Sequence, residues 1–247
     1  MTFAASTPTS ASFPGHDVGI WHSVMRRVLL AVAIGVFAAS TGCQSSSSDP
    51  SSGAAVQREG EPVLRVTLDV EEPAKSMGVL QTTNNNHAFN VGYGKNGIAC
   101  EGSTFTEGVT PVGRFRVNAI LSDDNFVMDP ELIKTSGKSE EFLKTTLFSN
   151  MNSIDFKGDG ETGEYGIGYV SLAPIPETPQ PFEFNDYAGT FRWYSFAIHG
   201  TNNDSRVGQK VTGGCLNAKG ADLEVLLNSL ELGDVVEITA NGPCQQG

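Results

Sequence analysis

"IHGTNNDSRVGQKVTGGCLN" spans residues 198–217. An apolar run ends at His199-Gly200, a polar stretch follows, and two glycines lead into Cys215. Such a glycine-flanked turn can expose a thiol and leave backbone N–H groups free to hold an oxyanion. A cysteine becomes a nucleophile when a base takes its proton or an electropositive site lowers its pKa. Of the four histidines, His16 and His22 lie before a signal-like segment, which leaves His87 and His199 as imidazole bases. Along the strand pattern that His199 ends, Trp193, Ser195, Ala197 and His199 share one face by the period of two. A Cys and a His in neighbouring segments are also what ordinary core packing produces. The residues alone therefore leave Cys215 open between buried thiol, half of a disulfide and nucleophile.

The flanks set the fold class. "VLRVTLDV" (63–70) alternates as a first strand, "HAFNVGYG" (87–94) is a second, and "TPVGRFRVNAI" (110–120) places a turn before a third. "IGYVSLAPI" (167–175), "GTFRWYSFAIHG" (189–200) and "VVEITA" (235–240) read as further strands. The patch 129–151 is helical, with starts at Asp129-Pro130 and Ser139. "ADLEVLLNSLELGD" (221–234) is the clearest helix: Leu223, Leu226, Leu227 and Leu230 fall at i, i+3, i+4 and i+7, and Gly233 stops it. Many short strands with one or two short helices make a mainly β domain, a sandwich or barrel-like body.

The 247 residues, 39% hydrophobic, can bury one good-sized core, and 28 glycines with 12 prolines favour strands and turns. A formal charge of −12 and the lack of a Lys/Arg stripe argue against a nucleic-acid partner. "RRVLLAVAIGVFAASTG" (26–42) has the positive start, short apolar run and small residues of a secretory signal. Met25 stands directly before it and is the expected translation start, with 1–24 a mis-assigned extension. The signal 25–43 ends in "STGCQ", which resembles a lipoprotein lipobox with Ser40 where a Leu is usual. Cys43 is thus the expected lipidation site, and the chain an exported, periplasmic protein that touches membrane only through that anchor. Residues 44–62 read as a disordered Ser-rich linker, 63–240 as the domain and 241–247 as a tail.

The segment 198–217 resembles the catalytic segment of the L,D-transpeptidase (YkuD-like) family. That family carries His-Gly, a variable stretch, then Ser/Thr-His-Gly-Cys-hydrophobic-Asn or Arg. Here the matching positions are His199-Gly200, then Thr212, Gly214, Cys215, Leu216 and Asn217, and "TPVGRF" (110–115) resembles the family's Thr-Pro-x-Gly-x-Phe. The resemblance implies a Cys215 nucleophile, a His199 base oriented by the Gly200 carbonyl, and an oxyanion site near Gly214 and Cys215. It implies peptidoglycan stem peptides as partners, a monomer, and no metal or cofactor. The chain departs from the pattern at Gly213, where the family has His, a loss expected to raise the thiol pKa. It departs again in the length between Phe115 and His199, which places an insertion around 121–166 near the cleft.

Cys100 and Cys244 remain, either paired or free. "DFKGDGETGE" (155–164) reads as a solvated acidic loop rather than a calcium loop, His87 as a surface residue near a turn, and "FRWY" as strand core before substrate stacking. The leading function is an L,D-transpeptidase forming 3→3 cross-links or attaching wall partners. A carboxypeptidase that hydrolyses the same thioester, and an inactive wall-binding lipoprotein favoured by Gly213, are its rivals.

Overall fold

Strand β1 (Leu64–Asp69) shows the expected alternation: Leu64, Val66 and Leu68 are buried and Thr67 faces solvent. The computed structural model describes residues 60–83 and 85–246. The expected extension 1–24, the signal 25–43 with Cys43, and the linker as far as residue 59 lie outside the described residues.

After β1 come β2 (Met77–Gln81), β3 (Asn86–Asn90), β4 (Tyr93–Gly94), β5 (Gly97–Ala99), β6 (Val109–Pro111), β7 (Gly113–Leu121) and β8 (Phe126–Met128). Helices α1 (Pro130–Thr135) and α2 (Glu140–Asn152) lead to β9 (Tyr169–Ile175), β10 (Glu183–Tyr187) and β11 (Thr190–Tyr194). Then follow β12 (Phe196–His199), β13 (Lys210–Thr212), β14 (Leu216–Asn217), α3 (Gly220–Ser229) and β15 (Val235–Asn241). The main sheet runs β14-β12-β9-β7-β15-β1-β2-β3, with β8 paired to β7. Only β1/β15 and β12/β14 pair in parallel within it. The mainly β class is as the sequence leads one to expect. The helical patch divides into α1, whose first turn is capped by Asp129, and α2, capped by Ser139.

Each face of the sheet buries its own core. On β12, Phe196 and Ile198 join the cluster under α3, where Leu223, Leu226 and Leu227 pack. Ala197, one step on, joins the opposite cluster with Leu143, Leu147 and Met151 of α2 and with Trp193 of β11. Burying each such side chain contributes about 1.5–3 kcal/mol. In β7 the pattern shifts midway: Phe115 and Val117 face α3, then Ile120 does, with Ala119 and Leu121 on the α2 side. A register irregularity between Val117 and Ala119 accounts for this, since one extra residue reverses the alternation.

Residues 189–200 are not one strand, as their pattern leads one to expect. The chain breaks at Ser195: β11 pairs with β10 as a separate hairpin, and β12 enters the main sheet against β9 and β14. His87 lies on β3 just after a bend, partly exposed, with Nε2 3.1 Å from Asp222 Oδ1 in the first turn of α3. The Leu-rich helix stops at Ser229, short of Gly233, which sits in the following turn with φ +87°. The segment after β15 is tied back. Cys100 and Cys244 form a disulfide, and Gln245 exchanges backbone hydrogen bonds with Ile98 and Cys100. A cross-link that closes so long a loop stabilises by about 2–4 kcal/mol, chiefly by restricting the unfolded chain.

Candidate active site

The β12/β14 pair builds the site. Ile198 stands opposite Leu216 and His199 opposite Asn217, so Cys215, just ahead of β14, lies beside β12. His199 and Cys215 line one cavity of about 470 Å³, together with Glu107, Tyr165, Arg192, Ser195 and Gly213.

His199 is buried between two phenol rings, Tyr165 at 5.0 Å edge-on and Tyr169 stacked at 6.2 Å. Its Nδ1 lies 2.6 Å from the Gly200 carbonyl oxygen, which can only accept. Nδ1 therefore carries the proton. Burial pushes the His199 pKa down to about 4, against which the Gly200 contact works. At neutral pH the ring is uncharged and Nε2 keeps its lone pair.

The Cys215 thiol donates to the Ser195 carbonyl at 3.7 Å, and among the described residues no hydrogen bond joins it to His199. Burial pushes its pKa up to about 12; the Ala197 N–H works against this and the Glu107 carboxylate adds to it. The sequence leads one to expect a raised thiol pKa from the missing histidine, whereas enclosure of the sulfur is the larger cause.

The turn before Cys215 is locked from several sides. Thr212 donates its hydroxyl to the Cys215 carbonyl at 2.5 Å and accepts from the Gly214 N–H at 3.2 Å. Thr110 donates to the Gly214 carbonyl at 2.6 Å. Gly214 has φ +123°, and a Cβ there would stand 2.8 Å from the Phe105 ring, so only glycine fits. Asn217 lines the cavity but spends its side-chain oxygen on the Gly92 N–H at 3.0 Å, pinning β14. Of the two N–H groups expected to hold an oxyanion, that of Gly214 is engaged by Thr212. That of Cys215 donates to no described residue.

Gly213 is not in the left-handed region. A Cβ there would meet Glu107 Oε1. The space beside Gly213 is thus held by a carboxylate, itself 3.5 Å from the Tyr194 hydroxyl. Glu107, Arg192 and Tyr165 were invisible to sequence reasoning. Glu107 and Tyr165 belong to no periodic pattern, Arg192 lies in the strand pattern 189–200 with nothing to mark it as cavity-facing, and each reaches the cavity from a different element. In the acidic loop, Asp155 accepts from the N–H groups of Lys157, Gly158, Asp159 and Gly160, and Glu164 pairs with Lys157 and Arg206. These carboxylates are occupied by protein partners. No His/Cys/Asp/Glu group that could hold a metal occurs among the described residues.

The chain belongs to the L,D-transpeptidase family: the YkuD model, an L,D-transpeptidase catalytic domain, matches residues 65–238. Among solved structures it is similar to L,D-transpeptidase 3 from Mycobacterium tuberculosis in complex with a faropenem-derived adduct, at 13% identity and TM-score 0.37. That match covers 72% of this chain and 60% of the other. It is similar also to an L,D-transpeptidase from Mycobacterium smegmatis, at 12% identity and TM-score 0.35, covering 72% and 59%. A third is the helical cell shape determining protein Pgp2 (K307A mutant) from Campylobacter jejuni, at 13% and 0.33, covering 75% and 49%. The chain thus spans less than two thirds of the length of these relatives. No curated protein matches it.

Two substitutions test the electrostatics around the thiol. Glu107→Gln removes the charge that raises the thiol pKa, so alkylation of Cys215 near pH 8 should speed up about two- to tenfold. Gly213→His should be accommodated by a shift of the Glu107 carboxylate, with a melting temperature close to that of the parent protein. A pH–rate profile of thiol alkylation unchanged by Glu107→Gln would contradict this reading.

Proposed function

We propose that this chain is a peptidoglycan L,D-transpeptidase that works through a thioester on Cys215. The observation that carries the reading is the shared cavity: a thiol and an imidazole with Nδ1 committed to Gly200 and Nε2 left as a base. In the donor half-reaction His199 Nε2 takes the thiol proton as sulfur attacks the carbonyl of the third residue of a tetrapeptide stem. The oxyanion that forms is held by the Cys215 N–H. The carbon–nitrogen bond to the terminal D-alanine breaks, the imidazolium returns its proton to the leaving amine, and a thioester remains. In the second half the side-chain amine of another stem attacks the thioester and gives its proton to His199. The carbon–sulfur bond breaks, the imidazolium returns the proton to the sulfur, and a 3→3 cross-link forms.

Both reacting groups start neutral, because burial lowers one pKa and raises the other. Concerted proton transfer then avoids a free thiolate in an enclosed site. Acylation should depend on His199 being uncharged, and so should fall only as pH drops toward about 4.

The test is turnover of a synthetic tetrapeptide followed by mass spectrometry. Cys215→Ala should form no acyl-enzyme, and His199→Ala should slow acylation by about two orders of magnitude or more. Wild-type rates in either variant would remove that residue from the mechanism. Release of tripeptide without a cross-linked product, with amine acceptor present, would favour the carboxypeptidase reading.

Export and lipidation belong to the same proposal: the motif at 25–43 would deliver the domain to the periplasm on a lipid at Cys43. Mass spectrometry of the mature N-terminus should find diacylglyceryl-modified Cys43. An unmodified N-terminus elsewhere would contradict the anchor.

A further inference from the structure

The cavity's charge runs against that of the chain. Lys95, Lys157, Arg192 and Arg206 line it beside two carboxylates, Glu107 and Glu164, in a protein of formal charge −12. Lys157 and Arg206 are both paired with Glu164. Arg192 is different. Its Nε donates to Asn185 Oδ1 across the β10–β11 hairpin at 3.0 Å. Its guanidinium lies 4.4 Å from the Tyr187 ring centroid, 5.1 Å from Tyr194 and 6.0 Å from Phe156. Among the described residues neither terminal amino group has a hydrogen-bond partner, and no carboxylate lies within ion-pair distance.

A guanidinium held in plane by rings and fixed at Nε has already lost the freedom that binding would otherwise cost. What it leaves free is a fork of two N–H donors, matched in spacing to the two oxygens of a carboxylate. The aromatic surfaces attract the cation without neutralising it. We infer that Arg192 is a binding residue for a free carboxylate of the donor stem peptide, so that the site selects the acid over the carboxamide. The inference rests on the stem-peptide reading of the cavity and deepens it. A tetrapeptide with a diamino dicarboxylic acid at position three offers two such groups, its terminal carboxylate and the carboxylate on the third side chain.

The experiment measures binding to the full chain carrying Cys215→Ala, so that affinity is read without turnover. Three synthetic tetrapeptides are compared: the free diacid, its terminal carboxamide, and its third-residue side-chain carboxamide. The diacid should bind about 10- to 100-fold more tightly than one of the two amides, and that amide identifies the carboxylate. Adding Arg192→Gln should weaken the diacid by the same factor and leave that amide unchanged, which abolishes the discrimination. Arg192→Lys should restore part of it. Equal weakening of all three peptides by Arg192→Gln would mean that the residue only supports the hairpin, and would overturn the proposal. So would equal affinity for acid and amides in the Arg192 protein. If none of the three binds, the stem-peptide reading falls and the inference with it. Binding without discrimination removes the inference alone.

Discussion

Ile198 opposite Leu216, and His199 opposite Asn217, is a parallel pairing of two very short strands at the end of the main sheet. It closes an excursion that leaves the sheet after His199 and returns at Cys215, and without it the imidazole and the thiol share no cavity. Two strands this short cannot hold a register by their own ladder, so the neighbours fix it. Asn217 bonds the Gly92 backbone through both its main chain and its side chain. Ala218 donates to the His199 carbonyl, and α3 begins two residues on with its leucines driven into the core beneath. The hydrophobic face of α3 and the position of the thiol are therefore one constraint. Any loss of packing under Leu223 and Leu226 would be felt at Cys215.

The alternation of β12 divides the labour between the two faces of the sheet. Phe196 and Ile198 anchor the strand on the α3 side, and the opposite side packs Ala197 into the α2 core and turns His199 to the cavity. Desolvation on that side sets the protonation states of the imidazole and the thiol, and the Gly200 carbonyl sets the tautomer. Gly213 fits the same picture. It leaves room for a carboxylate from the β5–β6 loop, so the wall beside the thiol is built here by Glu107.

Much of this is legible in the sequence because it is local. The period of two in β1 and β12, the leucine spacing of α3, the Asp129-Pro130 and Ser139 starts and the His-Gly…Gly-Cys segment are all set by neighbours along the chain. What the sequence hides is what distant segments contribute. The break at Ser195, which makes β11 part of a separate hairpin, depends on β10 and α2 packing against it rather than on any turn residue. Glu107 and Tyr165 carry no spacing signal, and the strand pattern that contains Arg192 does not say which cavity it faces, since the three meet only in the folded chain. The two N–H groups of the turn at Gly214 and Cys215 show the same limit. That Thr212 takes the Gly214 N–H and leaves that of Cys215 depends on the fold of the turn, not on its composition.

The central claim is that Cys215, neutral and partly buried at rest, is a nucleophile that His199 can activate. A carbapenem tests it directly, because its strained ring amide acylates a working thiol and nothing is released, so the protein gains the whole mass of the drug. Intact-mass spectrometry of the wild-type chain should show one added molecule. Peptide mapping should place it on Cys215, and the Cys215→Ala chain should stay unmodified. An unmodified wild-type protein, or an adduct that persists in Cys215→Ala, would contradict the account.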